Sequence, residues 1–240
     1  MNQQGYYMQE NVLSDNEILQ LGQWIDDAPS QNANFRINEQ LFAIRNLLGE
    51  IPALKAILKN TQLQKLLESH FPKQNYQCIK AIYFDKPPQS NWVVNWHQDL
   101  TINVKEKPLP SPTLMEVTHF RNWVQKSGFW SVQPTLEYLQ NIVTVRLHLE
   151  DCLAENGALK VLRGSHAQGI GSALRLDQLK QKFENVTCEV SKGGALVMSP
   201  LLWHASAKNR SSRHRRVIHL EFCSLSLPKE LEWYEEHAID

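Results

Sequence analysis

No apolar run in this chain approaches the ~18 residues that a membrane-crossing helix needs, and Met1-Asn2-Gln3-Gln4-Gly5 carries neither the basic start nor the apolar stretch of a secretory signal. The expectation is a soluble chain in the cytoplasm. Net charge is missing too: 25 Lys and Arg balance 25 Asp and Glu, so no overall field draws nucleic acid or an anionic membrane surface. Neither is expected as a partner. Cysteine is sparse, and Cys78, Cys152, Cys188 and Cys223 lie far apart with no C-x-x-C pair. Three of them sit in apolar runs, where a small buried hydrophobe fits, so they read as reduced core thiols rather than a disulfide framework. There is no repeat with a period of 20 to 50 residues and no low-complexity tract.

What is present is ample apolar material, 42% of 240 residues, enough for the core of one β-rich domain spanning 1–240. Residues 1–72 read as a helical flank. Ser14-Asp15-Asn16-Glu17 has the form of a capping box, followed by Ile18, Leu21, Trp24 and Ile25 at helical spacing and closed by Pro29. A second helical pattern takes in Leu41, Phe42, Ile44, Leu47 and Leu48 and stops at Gly49; a third covers Leu54 to Leu67 with a break at Asn60-Thr61. From Tyr76 the residues favour strands: Tyr76 to Phe84, Trp92 to Trp96, Ile142 to Leu149, Leu159 to Leu162, Ala195 to Met198 and Arg216 to Ser224. Asn156-Gly157 has the signature of a two-residue hairpin, and Gly193-Gly194 marks another turn. Helices first and short strands afterwards predict a mainly β fold with a helical flank: a double-stranded β-helix (jelly-roll, cupin-like) core over 76–226, packed by N-terminal helices. Between 103 and 141 lies a stretch too long for a simple connection. It holds Pro108, Pro110, Pro112 and Pro134 with Phe120, Trp123, Phe129 and Trp130, and is expected to form a lid over a pocket.

Ferrous iron that must also bind a co-substrate and dioxygen takes three protein ligands on one face of an octahedron, and two imidazoles with one carboxylate supply them. His97-Gln98-Asp99 offers a histidine and a carboxylate two apart, on the same side of a strand. Alone this is weak, since nine histidines make chance pairs common. His148-Leu149-Glu150 and His219-Leu220-Glu221 have the same spacing but lie within apolar strands, where ordinary strand roles account for them. His97 and Asp99 instead end a strand at the mouth of the insertion. The third ligand must come from a distant segment, and His204 follows the strand Ala195 to Met198; a lone histidine there is more often structural. Eleven positions on, Arg215 opens a strand where its guanidinium can clamp a carboxylate through two hydrogen bonds. The basic cluster Arg210, Arg213, His214, Arg215 and Arg216 is read through strand alternation, Arg215 inward and Arg216 outward, rather than as a nucleic-acid patch.

In order, His97-Gln98-Asp99, the strand 142–149, Asn156-Gly157 leading to Gly164-Ser165-His166, and His204 with Arg215 resemble the phytanoyl-CoA dioxygenase family of Fe(II)/2-oxoglutarate oxygenases over roughly residues 76 to 224. The resemblance implies iron held by His97, Asp99 and His204, and 2-oxoglutarate bound by Arg215 with contacts from Gln98 and Ser206. It further implies hydroxylation of a small-molecule substrate with release of succinate and carbon dioxide. Retention of Asp99 favours hydroxylation, because related halogenases lack that carboxylate. Two positions depart from the pattern. Arg163 replaces the proline common before Gly164-Ser165-His166. Arg146 stands where the family's human namesake has tryptophan, and marks either an altered co-substrate geometry or a second anionic group in the pocket. His166 is read as a structural loop residue, and Trp123, Trp130, Phe129 and His119 as the first candidates to line a substrate pocket. Two other readings stay open: a cupin-like metal enzyme that does not use 2-oxoglutarate, and a non-catalytic jelly-roll binding module.

Overall fold

The structure is a computed structural model that describes residues 2–29, 32–38, 40–89, 92–108 and 119–239. Its strands are β1 (Tyr6–Gln9), β2 (Phe35–Asn38), β3 (Gln40–Arg45), β4 (Gln77–Lys86), β5 (Val94–His97), β6 (Ile102–Val104), β7 (Arg121–Gln125), β8 (Trp130–Gln133), β9 (Ile142–His148), β10 (Leu159–Leu162), β11 (Asn185–Cys188), β12 (Ala195–Met198), β13 (His204–Ser206), β14 (Arg215–Cys223) and β15 (His237–Ala238). The helices are α1 (Asp15–Asp26), α2 (Leu47–Glu50), α3 (Thr61–His70), α4 (Leu136–Asn141) and α5 (Leu176–Lys182). All pairings are antiparallel. The large sheet runs β1-β12-β9-β14-β4-β3-β2 with β15 on β4, and a smaller one runs β11-β10-β13-β5. This is the expected jelly roll, with open sheets.

Three central strands show why the interior differs from an ordinary core. On β9, β14 and β4, one set of alternating residues is apolar (Val143, Val145, Leu147; Ile218, Leu220; Ala81) and packs with Ile18, Leu21, Leu54, Leu63 and Leu67 from the helical layer. Each such fully buried Leu or Ile contributes ~1.5–3 kcal/mol, so this face holds the layers together. The other set faces the smaller sheet and, beside Ile82, Phe84 and Val217, carries charge: Arg146, Arg215, His219, Glu221, Lys80 and Lys86 are all buried. On β12 the same alternation sends Ala195 and Val197 to the helices and Leu196 and Met198 to the apolar cluster formed with Leu159 and Val161 of β10.

The helical flank is only half helical. Ser14 caps α1 in a full capping box, and Asn60 caps α3 while a 3-10 helix, Pro52–Lys59, precedes it, which is the break expected at Asn60-Thr61. Residues 40–45 are a strand rather than part of the second expected helix; Ala43 pairs Phe84 and Arg45 pairs Ile82, so pairing to β4 overrides the helix-like spacing. β1 likewise joins the sheet edge beside β12. Asn156-Gly157 does not close a hairpin: β9 and β10 lie in different sheets, and this turn carries the chain between them. The insertion is a three-stranded sheet, β6-β8-β7, packed with α4 and Trp233; its Pro110 and Pro112 lie outside the described residues. No helix among the described residues is long and apolar enough to cross a membrane.

Candidate metal centre and adjoining pockets

β5 and β13 are neighbours in the smaller sheet, and His97 and His204 are directly opposed across them. Their rings lie 4.2 Å apart between centroids. Asp99 follows two residues after His97, its backbone N–H donating to the Pro200 carbonyl at 2.9 Å. Its carboxylate is 3.6 Å from His97 Nε2 and 3.5 Å from His204 Nε2. One ligand atom from each residue falls within 4.8 Å of the others, a spacing that one metal ion can span.

The hydrogen bonds select the tautomers that suit a metal. His97 Nδ1 lies 2.7 Å from the Asn95 carbonyl and His204 Nδ1 2.9 Å from that of Leu202. A carbonyl only accepts, so each Nδ1 carries the proton and each Nε2 presents a lone pair toward Asp99. Burial pushes His204 down to about 4 against the pull of Asp99, which keeps the ring neutral near pH 7. Burial would raise the Asp99 carboxyl, but His204, His219, His97 and Lys80 together hold it well below the usual carboxylate range. Two neutral imidazoles and an ionised carboxylate are the donor set that a divalent iron takes. A second cluster, Asp99 with His219 and Glu221, is equally close but closed. Arg146 Nη1 donates to His219 Nδ1 at 2.9 Å, so the ring's Nε2–H donates to Glu221 Oε1 at 3.1 Å, and Lys80 takes both Glu221 oxygens at 2.9 and 2.8 Å. His219 has no lone pair left for an ion.

His97, Asp99 and His204 open onto a cavity of about 220 Å³ that is also lined by Arg146, Ser206 and Arg215. Neither guanidinium has a carboxylate partner among the described residues. Arg215 Nη1 donates to the Gly157 carbonyl and, at 3.0 Å, to Ser206 Oγ, which itself donates to the Gly157 carbonyl at 2.8 Å. Gly157 has φ +84°, and a Cβ there would stand 2.7 Å from the Ala207 carbonyl and 3.3 Å from Lys86 Nζ, so the close approach requires glycine. Burial lowers Arg215, and burial with the nearby Arg215 charge pushes Arg146 down to about 10. Lys86 adds a third cation, donating to Ser206 Oγ at 2.7 Å and lying over the Trp92 ring at 5.3 Å; burial and the two arginines push it down to about 7. Two buried guanidiniums against Asp99, with Lys86 behind them able to gain a proton when an anion binds, leave an excess of positive charge that suits a small dianion.

Of the residues singled out in the sequence, His97, Asp99, His204, Arg146, Ser206 and Arg215 meet around this one cavity. Gln98 does not. As the middle residue of the triplet it points the other way, donating to the Gly169 and Leu201 carbonyls at 2.9 and 2.5 Å and accepting from Gly171 N–H at 2.8 Å. It braces the loops behind the site. Arg216 lies on the opposite face from Arg215, bonded to Asp26 of α1 at 2.6 Å. His166 packs beneath Gly5, and Ser165 Oγ accepts from Trp203 N–H at 3.0 Å, both structural contacts of the loop beside His204. Phe129 lines a second cavity, whereas Trp123 and Trp130 pack in the apolar cluster of the insertion and His119 is exposed. Lys86, Lys80 and Glu235 were not among the sequence candidates. Burial pushes the Glu235 carboxyl up to about 7. Their signal was a charge recurring on alternate positions of otherwise apolar strands, and for Glu235 there was none.

An antiparallel jelly roll with two facing histidines and a carboxylate at one sheet edge, beside a cationic cavity, defines a metal-site protein of the non-haem oxygenase type. The chain belongs to the phytanoyl-CoA dioxygenase (PhyH) family, whose model matches residues 1–217, a span that reaches well N-terminal of the motif-bearing region. Among solved structures, AviO1 from Streptomyces viridochromogenes Tue57 is similar at a TM-score of 0.67 and 18% identity, covering 95% of this chain and 93% of that one. EctD from S. alaskensis, solved with bound Fe, reaches a TM-score of 0.70 at 16% identity over 99% of this chain and 83% of its own. The carbocyclase SnoK from nogalamycin biosynthesis, described as non-haem and alpha-ketoglutarate dependent, gives a TM-score of 0.65 at 14% identity, covering 99% and 93%. A search of curated proteins finds no match.

Proposed function

We propose that this protein is an Fe(II)- and 2-oxoglutarate-dependent oxygenase that hydroxylates a small-molecule substrate. His97, Asp99 and His204 hold the iron, and Arg215 binds the distal carboxylate of 2-oxoglutarate. The observation that carries the reading is the pairing of an open two-histidine, one-carboxylate set with two buried guanidiniums in the same cavity that have no carboxylate partner among the described residues. Family membership supports both cofactors. Bound iron supplies the oxidative decarboxylation of 2-oxoglutarate to succinate and carbon dioxide, coupled to oxygen insertion into the substrate.

The chain's own work is aim and charge. Arg215, held by the Gly157 carbonyl and Ser206 Oγ, fixes one end of the dicarboxylate, so its other end is directed toward the two histidines. Arg146 offers a second cation on the same wall and is itself held by His219. The carbonyls of Asn95 and Leu202 hold each neutral ring as its Nδ1–H tautomer, which turns the Nε2 lone pair toward the position a metal would take. Hydroxylation is preferred because Asp99 is retained, although relatives of this fold include an epimerase and a carbocyclase.

Anaerobic addition of Fe(II) and then 2-oxoglutarate tests the proposal. A visible charge-transfer band from the chelate is expected, together with succinate release once oxygen and substrate are supplied. A folded protein that binds iron yet gives no such band would favour the cupin-like alternative, and one that binds no iron would favour the non-catalytic module.

A further inference from the structure

A second cavity, of about 280 Å³, shares Asp99, Phe84 and His219 with the first and so adjoins the metal site at Asp99. Its floor is the closed set of Lys80, Glu221 and His219, in which Lys80 also donates to the Thr101 carbonyl at 2.7 Å. No charge there is left over for a ligand. Three charged lining groups stand apart from that set: Lys126 is exposed, whereas Glu235 and Arg45 are not. Glu235 is 3% exposed, and one of its oxygens accepts from the Ala81 N–H at 2.9 Å while the other meets no donor among the described residues. Arg45 is half-buried, and its guanidinium has neither a carboxylate nor a hydrogen-bond partner among the described residues.

The two are neighbours by construction of the sheet. Arg45 of β3 pairs with Ile82 of β4, and Glu235 sits on the N–H of Ala81, so an unpaired base and an unpaired acid flank adjacent residues of one strand and face one cavity. The stacked rings of Phe129 and Tyr234, 4.4 Å between centroids, give the same cavity an apolar wall. An alkyl chain placed here would desolvate both charges and return no hydrogen bond to either. A plain dicarboxylate would set like charge against Glu235, and a plain amine would leave Arg45 unanswered. The volume is at the small end for ligand sites.

We propose that this second cavity is the primary-substrate site and takes a small amphoteric molecule of the amino-acid class, with its carboxylate on Arg45 and its ammonium on Glu235. The assignment rests on the oxygenase reading above. The full chain, loaded anaerobically with Fe(II) and 2-oxoglutarate, is titrated with the common L-amino acids, their N-acetyl and carboxamide derivatives, and palmitoyl-CoA. Binding is followed by calorimetry and by perturbation of the chelate band. At least one amino acid should bind and perturb the band, and each blocked derivative should bind roughly tenfold or more weakly. Glu235→Gln and Arg45→Gln should each weaken the amino acid about 10- to 100-fold while the chelate band persists. Glu235→Gln should also erase the preference over the N-acetyl form, and Arg45→Gln that over the carboxamide. Those exchanged preferences are a readout that mere loss of packing would not give. Equal binding of blocked derivatives, preferred binding of palmitoyl-CoA, or a silent panel in the presence of the band overturns the assignment alone. Absence of the band in the unaltered protein brings down the oxygenase reading instead.

Discussion

Arg215 is buried with a peptide carbonyl and a hydroxyl as its neighbours, and a guanidinium taken out of water without a carboxylate is costly until an anion arrives. Arg215→Met should therefore raise the dissociation constant for 2-oxoglutarate by roughly 30- to 150-fold, the equivalent of about 2–3 kcal/mol for charge-assisted hydrogen bonds. Iron binding at His97, Asp99 and His204 should be unaffected; calorimetry with each ligand separately checks both halves. Gly157 belongs to the same argument through its backbone. A side chain there meets the Ala207 carbonyl at 2.7 Å and must adopt φ +84°, so Gly157→Ala should cost about 1–3 kcal/mol of stability in urea unfolding. Because the Gly157 carbonyl anchors Arg215 and Ser206, the same variant should weaken 2-oxoglutarate binding. At this scale the residues read from the sequence as ligands do converge, whereas Gln98 does not join them. Strand geometry already told against Gln98, since the residue between two that share a face must leave it.

Among the elements, α1 and α3 announce themselves because their ends are local chemistry: Ser14 with Glu17, and Asn60 accepting from Leu63 N–H at 2.8 Å. The caps should nonetheless differ in weight. Ser14 is exposed, and Ser14→Ala should cost about 1 kcal/mol. Asn60 is buried and also donates to the Val12 carbonyl at 3.0 Å and to Glu17 at 2.8 Å, tying the two helices together. Asn60→Ala leaves three groups unpaired and should cost roughly 2–4 kcal/mol, with chemical denaturation of both variants as the comparison. Strands 40–45 and 204–206 were not legible, since Leu41 to Leu48 has helical spacing and a three-residue strand leaves no period to detect. Their pairing is set by β4 and β10, partners remote in the chain. The central strands were legible as strands, and Arg146 and Arg215 on them as site candidates, but the residues of the second cavity were not. His219 and Glu221 were set aside as ordinary residues of an apolar strand, yet their alternation with Leu220 and Ile218 is what turns them into the cavity. Lys80 and Glu221 are directly opposed in the β4–β14 register, a pairing that no single strand's sequence reveals.

At the scale of the molecule, the jelly roll concentrates ionisable groups between two sheets that each need their other face for packing, and the consequence is a pH dependence of stability with two opposing limbs. Glu235 is pushed up to about 7 by burial, so between its ordinary value near 4.5 and about 7 the folded chain binds the proton that the unfolded chain releases. Its contribution is therefore fully present below pH ~4.5 and is lost as pH rises to 7, amounting to ~3 kcal/mol. Lys86 is pushed down to about 7 by burial and the adjacent arginines, so above that pH the unfolded chain holds the extra proton and stability rises with pH toward its ordinary value. The two effects meet near neutrality. Glu235→Gln should remove the acid limb, so the difference in unfolding free energy between variant and parent should grow from small at pH 5 to its maximum above pH 7. Lys86→Met should remove the alkaline limb and leave the acid one. A dianion bound beside Arg215 stabilises the Lys86 ammonium, so saturating 2-oxoglutarate should flatten the alkaline limb of the parent and have no such effect on Lys86→Met. Urea unfolding at closely spaced pH values, with and without 2-oxoglutarate, measures all three; an acid limb that survives Glu235→Gln would place the responsible proton elsewhere in the interior.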